Sequence, residues 1–176
     1  DCEQVQALTR LAFACYQRVD VLVNNASGFY PTPLSECDQK DWDNLFDSNL
    51  RAAFFLAQQL APELEKRAGS IVNMTDTHAD NPLKGFPIYS MAKAGVKAMT
   101  KSLAKELAPR VRVNGVSPGA ILWPPSLEDD SDPAVLDTRQ KMLKKIPLGA
   151  LGKPQNIADT VFFLASDACY VTGQTV

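Results

Sequence analysis

A tyrosine and a lysine four residues apart are the pair in this sequence with the clearest chemical use. Tyr89 and Lys93 fall at the start of a helical pattern, and residues at positions i and i+4 lie on one face of a helix. A nearby ammonium stabilises phenolate and lowers the tyrosine pKa from about 10, which makes the phenol a usable proton donor near neutral pH. Because such a pair also occurs by chance on helices, the rest of the chain must decide between the two interpretations.

Two further polar residues stand where apolar patterns end or are interrupted. Asp76 follows a predicted strand over 70–74, and Asn49 interrupts the apolar face of a predicted long helix over 38–67. Asp76 is either a loop carboxylate or a site residue, and the site is favoured because the strand end faces a crevice. A buried amide needs partners, so Asn49 is either a satisfied core residue or one that organises a site.

The composition restricts the class of protein and the partners. The 176 residues predict a single domain over 1–176, with 45% hydrophobic and 22% charged residues, as in ordinary globular proteins. The net charge of −2 without a basic block argues against nucleic-acid and acidic-membrane partners. No apolar run approaches the ~18 residues of a membrane span, and we expect a cytoplasmic protein. Four scattered cysteines and a single histidine, His78, predict no metal site.

Short apolar runs alternate with helical patterns along the chain. Strands are predicted over 19–23, 70–74 and 111–116, and helices over 3–17, 38–67, 88–107 and 133–145, with a last helix from Pro154. This order predicts an α/β fold, a doubly wound parallel sheet in three layers with right-handed crossovers. Ligands of such sheets bind at the carboxyl ends of the strands. The turns after the strands, at 24–28, 75–76 and 117–119, should therefore converge on one crevice.

Five of these features, in this order, resemble the short-chain dehydrogenase/reductase family. They are the VLVNNAS turn, Asn49, the Tyr89-x-x-x-Lys93 pair, the VNGVSPG turn and the C-terminal run GKPQNIADTVFFLASDACYVTGQTV. The resemblance covers essentially the whole chain. It implies a Rossmann-like fold and reduction by hydride transfer from a dinucleotide.

One position narrows the resemblance further. Members of the family usually have a serine where this sequence has Asp76, and an aspartate there, with GFYPTPL after the first turn, resembles the bacterial pteridine reductases. This resemblance implies that NADPH reduces a C=N bond of a dihydropterin or dihydrofolate, with Tyr89 as the proton donor. Lys93 would lower the Tyr89 pKa and bind the nicotinamide ribose, and Asp76 would bind the aminopyrimidine or relay a proton. Asn49 would bind a water that links Lys93 to solvent.

The same resemblance assigns a role to each candidate residue. Phe29, for example, would stack on the pterin ring. The implied catalytic residues are Asp76, Tyr89, Lys93 and Asn49. The implied cofactor-binding residues are Asn24, Ala26, Ser27, Tyr89, Lys93, Pro118 and Gly119. The implied substrate-binding residues are Ser27, Phe29, Asp76 and Tyr89.

The sequence also departs from the family pattern. The first strand, the glycine-rich TGxxxGxG turn, the second strand and the last strand have no counterpart in it, so we expect it to be part of a longer enzyme. The NADPH expectation therefore rests on the resemblance to pteridine reductases. The family also implies a homotetramer, with the helices over 38–67 and 88–107 packed against a second subunit.

Two other functions remain open from the sequence. The first is a short-chain reductase of a carbonyl, such as a ketoacyl or steroid substrate, which Asp76 argues against because a developing oxyanion prefers a neutral hydroxyl donor. The second is a non-catalytic protein that senses the dinucleotide or acts as a scaffold. The intact set of Asn49, Tyr89 and Lys93 argues against the second.

Overall fold

Three parallel strands form the centre of the protein, which is represented by a computed structural model describing residues 2–176. The strands are β1 (Val21–Asn24), β2 (Ser70–Met74) and β3 (Arg112–Val116), in the order β1-β2-β3. Val21 pairs with Ser70, which pairs in turn with Arg112. Near the end of the chain Thr175 forms a further parallel bridge beside β3. The predicted parallel α/β sheet is confirmed.

Helices connect the strands and begin at residues that favour helix starts. They are α1 (Cys2–Tyr16), α2 (Gln39–Phe46), α3 (Ala52–Arg67), α4 (Pro87–Glu106), α5 (Pro133–Leu143) and α6 (Pro154–Ala165). Proline occupies the first turn of α4, α5 and α6, where its missing N–H has no helical partner to lose. Asp38 caps α2, since its side chain accepts from the Asp41 N–H. Among residues 2–176, no helix has the length and apolar character needed to cross a membrane.

The helix predicted over 38–67 contains a change of helical type. A π-helical segment, Asp47–Arg51, joins α2 to α3 and contains Asn49. Such segments are rare and occur frequently at functional sites. Pro62 lies inside α3, which continues through it to Arg67. Pro62 costs α3 one internal hydrogen bond, whereas the buried side chains of Leu60 and Leu64 attach the helix to the core.

Side chains of β2 alternate between two apolar layers, as the period of a strand requires. Ile71 packs with Leu64 and Val113 beneath α3 and α4, whereas Val72 packs with Leu164 of α6 on the opposite face. Ile71 and Val72 are both fully buried, and each contributes about 1.5–3 kcal/mol through apolar burial. The sheet thus has helices on both faces, in agreement with the three-layer prediction.

Arg112 fixes α6 over the sheet. From the start of β3, its guanidinium donates to the carbonyl oxygens of Leu164 (2.6 Å), Ala165 (2.9 Å) and Ala168 (3.0 Å). The last carbonyls of a helix have no partner within it, and a cation also complements the negative end of the helix dipole. The Ser70 hydroxyl donates to the Ala165 carbonyl as well. One side chain of the sheet therefore satisfies the last two carbonyls of α6, those of Leu164 and Ala165.

We expect Arg112→Ala to lower the free energy of unfolding by about 2–4 kcal/mol, because it removes three charge-assisted hydrogen bonds. The matched control is Arg110→Ala, since Arg110 is exposed and its loss should cost less than about 0.5 kcal/mol. Urea unfolding followed by circular dichroism measures both. Equal stabilities of the two variants would show that the contacts with α6 contribute nothing.

Candidate active site

The carboxyl ends of the three strands lie at one edge of the sheet, where the turns were predicted to converge. A cavity of about 930 Å³ runs along the face of the sheet between β1 and α6, and its end at this edge is lined by Asn25 after β1, Met74 at the end of β2 and Pro118 after β3. Its remaining walls are mostly apolar side chains of α6 and of the loop after β3. Residues from all three strand ends therefore share one cavity. Ala26 and Gly119 are exposed near these positions.

Beside this edge, the predicted proton donor is hydrogen-bonded to the predicted carboxylate. The Tyr89 hydroxyl donates to Asp76 Oδ2 at 2.6 Å. The other oxygen, Oδ1, accepts from the backbone N–H of His78 at 2.8 Å, because Asp76 caps the short turn Thr77–Ala79. The backbone thus orients the carboxylate toward the phenol. Tyr89 itself is 4% exposed, so this contact lies mostly away from water.

Lys93 lies one helical turn from Tyr89 on α4 and is buried. Its ammonium donates to the Met74 carbonyl oxygen at 3.0 Å and lies 5.8 Å from the centroid of the Tyr89 ring. An ammonium has three donors, so this bond leaves it with capacity for ligand hydroxyls. The structure therefore brings Asp76, Tyr89 and Lys93 together as the sequence predicted, while their catalytic roles stay a prediction.

The Tyr89 pKa is shifted upward, whereas the sequence predicted a downward shift. Burial raises it, and the hydrogen bond to Asp76 and the negative charge of that carboxylate raise it further, while the Ser27 hydroxyl acts in the opposite direction. Burial lowers the pKa of Lys93, against the attraction of Asp76. The expected lowering of the Tyr89 pKa is wrong for this arrangement, because burial of the phenol and its contact with a carboxylate both raise the pKa. Tyr89 is thus fully protonated near neutral pH.

Asn49 connects the π-helical segment to the turn after β1. Its amide nitrogen donates to the carbonyl oxygens of Leu45 (2.9 Å) and Gly28 (3.0 Å), and its oxygen accepts from the Ser27 hydroxyl (2.7 Å). Gly28 permits this approach, since a Cβ there would lie 2.9 Å from Ser48 Oγ. Asn49 is therefore both a satisfied buried amide and the residue that orders this turn. The predicted water bridge to Lys93 stays a prediction.

A buried chain of polar side chains, not predicted from the sequence, lies beneath the site. Asn24 donates to Asn73 Oδ1 at 2.8 Å, and Asn73 donates to Thr100 Oγ1 at 2.9 Å. Thr100 donates in turn to the Val96 carbonyl oxygen. Because the Asn24 amide bonds within the protein, its predicted contact with the cofactor ribose stays a prediction. The available signal was Asn73 itself, an amide inside an otherwise apolar strand.

Two phenylalanine rings form an aromatic wall beside Tyr89. Phe29 lies 4.8 Å from the Tyr89 ring at an interplanar angle of 74°. On Phe29 the Phe86 ring stacks at 4.7 Å and 11°. Phe29 is 55% exposed, as a ring that meets a ligand should be. Phe86 was not predicted, although its position directly before the helix of Tyr89 was a signal.

Comparisons with known proteins agree with this geometry. A family model described as "Enoyl-(Acyl carrier protein) reductase" matches residues 1–176. A 3-oxoacyl-[acyl-carrier-protein] reductase FabG of Thermotoga maritima is 39% identical, over 100% of this chain and 71% of its own length. The FabG protein of Staphylococcus aureus strain Mu50 is 37% identical over the same shares.

Solved structures resemble the fold closely. The ligand-free aldohexose dehydrogenase of Thermoplasma acidophilum is 30% identical, with a TM-score of 0.91, over 100% of this chain and 72% of its own. A putative short-chain alcohol dehydrogenase from Sinorhizobium meliloti is 31% identical, with a TM-score of 0.89, over 100% and 70%. This chain belongs to the short-chain dehydrogenase/reductase family. It is an NAD(P)-dependent reductase with the Rossmann-like fold of that family, as predicted.

The predicted cofactor, NADPH, is confirmed at the level of the family, and the residues present fit its nicotinamide half. At the strand ends, Met74 and Pro118 contribute apolar walls beside these residues. The buried ammonium of Lys93, beside the phenol of Tyr89, presents donors suited to ribose hydroxyls. The prediction of a pterin substrate receives no support from the relatives named above, whose names favour the alternative of a 3-oxoacyl substrate.

We expect Asp76→Asn to lower the pKa of Tyr89 relative to the unchanged protein. The carboxylate raises this pKa through its hydrogen bond and its charge, and a neutral amide removes the charge and weakens the hydrogen bond. The ultraviolet absorbance of tyrosinate against pH measures the pKa. Subtracting the signal of the corresponding Tyr89→Phe proteins isolates Tyr89 from the other tyrosines. An unchanged or higher pKa would contradict the assigned cause.

Proposed function

We propose that this reductase reduces the C=N bond of a dihydropterin or dihydrofolate with NADPH. The observation that carries the proposal is the Asp76 carboxylate, 2.6 Å from the hydroxyl of the candidate proton donor. An ionised carboxylate only accepts hydrogen bonds, and the aminopyrimidine of a pterin offers N–H donors. The exposed ring of Phe29 adds an apolar face on which a flat ring can stack.

A second candidate is reduction of a 3-oxoacyl thioester, which the names of the relatives favour over a pterin. Charge at the site argues for the first candidate. Reduction of a carbonyl builds negative charge on its oxygen beside the proton donor, where stabilisation requires hydrogen-bond donors. Asp76 places an acceptor of the same charge sign at that point. The two candidates therefore differ in whether Asp76 assists or opposes the reaction.

Each residue has a definite part in the proposed reaction. NADPH, when bound, supplies the hydride to the ring carbon. Tyr89 carries the proton on its hydroxyl oxygen and passes it to the ring nitrogen. Proton loss would leave a phenolate next to Asp76, so we infer that substrate N–H groups engage this carboxylate first and that Lys93 stabilises the phenolate. Phe29 orients the ring.

We also propose a domain organisation, an oligomeric state and a location. The chain would form a single domain over 1–176 and assemble into the homotetramer implied by the family. The apolar side chains Trp42, Phe54 and Met91 on α2, α3 and α4 are each at least 40% exposed, which supports an interface on these helices. A cytoplasmic location is also retained as a proposal.

A substrate panel tests the two candidate functions directly. NADPH oxidation is followed by its absorbance with dihydrobiopterin, dihydrofolate and a 3-oxoacyl thioester in parallel. We expect kcat/KM for at least one pterin compound to exceed that of the thioester roughly tenfold or more, equivalent to about 1.4 kcal/mol of transition-state stabilisation. Turnover of the thioester alone would exclude the pterin proposal. The Tyr89→Phe protein serves as the inactive control.

Exchange of Asp76 for serine tests the residue that carries the proposal. We expect Asp76→Ser to lower kcat/KM for the pterin by roughly 10–100-fold, because a charge-assisted acceptor is lost, and to leave the Kd of NADPH within a few-fold. The matched control is Asp80→Ser, since Asp80 lies in the same loop, paired with Lys97 and away from Tyr89. An unchanged pterin rate in Asp76→Ser would return Asp76 to the role of a loop carboxylate.

A further inference from the structure

Phe86 lies directly before α4 and covers one face of Phe29. The two ring centroids are 4.7 Å apart at an interplanar angle of 11°, an arrangement close to parallel stacking. Phe86 is half-buried, whereas Phe29 is 55% exposed. Phe29 therefore has Phe86 over one face, the edge contact with Tyr89, and solvent over much of its remaining surface. Phe86 itself belongs to none of the three sets of residues that the resemblance assigned to the site.

The loops that carry the two rings are also connected through their backbones. The Thr32 N–H donates to the Gly85 carbonyl oxygen at 2.7 Å, and the Phe86 N–H donates to the Leu83 carbonyl oxygen at 3.1 Å. Gly85 has φ +83°, a conformation that glycine adopts without the strain of a side chain. The backbone hydrogen bond from Thr32 to Gly85 thus attaches the loop after β1 to the segment that precedes α4.

Phe86 has a fixed position relative to the proton donor. It is the N-terminal cap residue of α4, three residues before Tyr89, and it packs against the cluster of Leu45, Ile88 and Tyr89. By contrast, Phe29 lies in a loop, and its half-exposed ring is held edge-on by Tyr89 and face-on by Phe86. The edge contact with Tyr89 leaves the tilt of Phe29 to its other neighbour, and the parallel stack on Phe86 sets that tilt relative to Tyr89.

We infer that Phe86 is a positioning residue that fixes the plane of Phe29 and so favours flat heteroaromatic substrates over flexible acyl chains. This inference rests on the proposed pterin reduction. A ring that stacks on Phe29 is oriented only as well as Phe29 itself. A flexible acyl chain does not need a parallel surface, so it gains much less binding free energy from a fixed Phe29 ring. Phe86 thus contributes to specificity without touching the substrate.

A double-mutant cycle tests this role. The probe is biopterin, whose quenched fluorescence reports its Kd for the NADP-saturated protein. We expect Phe86→Leu, which keeps apolar bulk but removes the ring, to weaken binding roughly three- to tenfold, the scale of an aromatic pair. Phe86→Tyr should stay within about twofold because it preserves the stack. In a Phe29→Ala background, Phe86→Leu should cause no further loss, since coupled residues are not additive.

Kinetics and stability separate positioning from a general loss of structure. We expect Phe86→Leu to raise KM for dihydrobiopterin by a similar factor while kcat and the midpoint of urea unfolding change little. Leu34→Ala is the matched control, because Leu34 is 86% exposed in the loop after β1 that carries Phe29. This variant should change neither KM nor kcat.

Two different results overturn the inference and are distinguishable. If biopterin does not bind the unchanged protein, the proposed function fails, and the role of Phe86 fails with it. If biopterin binds but Phe86→Leu has no effect, or has the same effect with and without Phe29, only the role of Phe86 fails.

Discussion

The hydrogen bond from Tyr89 to Asp76 is the constraint on which the rest of the site depends. It places a carboxylate 2.6 Å from a mostly buried phenol, although burial and negative charge both oppose ionisation of that phenol. The only cation recorded close to this pair among residues 2–176 is Lys93, whose own pKa burial lowers and Asp76 raises. The three groups therefore stabilise one another's charge states. A change of charge on Asp76 therefore alters the proton affinities of Tyr89 and Lys93.

The sheet provides this arrangement through a series of polar contacts between β2 and α4. Along the strand and the turn that follows it, Asn73 contacts Thr100, the Met74 carbonyl accepts from Lys93, and Asp76 accepts from Tyr89. The helix residues are spaced by seven and four positions, so they lie on one face of α4. Each contact would be lost if the helix shifted by one turn. The buried polar chain below the site thus fixes the register that places Tyr89 beside Asp76.

The sequence predicted the parts of this protein that depend on periodicity and local signals. Helix and strand bounds agree closely with the structure, and parallel strands require the turns after them to lie at one edge. Contacts between residues distant in the sequence were harder to predict from it. Spacing placed Lys93 near Tyr89, but only the fold shows that the phenol is buried and that Asp76 contacts its hydroxyl, which together raise the Tyr89 pKa. The π-helical turn at Asn49 and the stack of Phe86 on Phe29 likewise arise from tertiary packing.

The relatives and the site give different indications of the substrate, and the difference has a physical origin. The identity of 37–39% to 3-oxoacyl reductases is an average over the whole chain, and one fold supports reductases of many substrates. Substrate choice depends on the few side chains that meet the reacting group. Asp76 supplies a full negative charge beside the Tyr89 hydroxyl, and Phe29 supplies a flat apolar ring. A substrate with N–H donors and an aromatic face complements both, whereas a developing oxyanion at the same place is repelled by the first and gains little from the second.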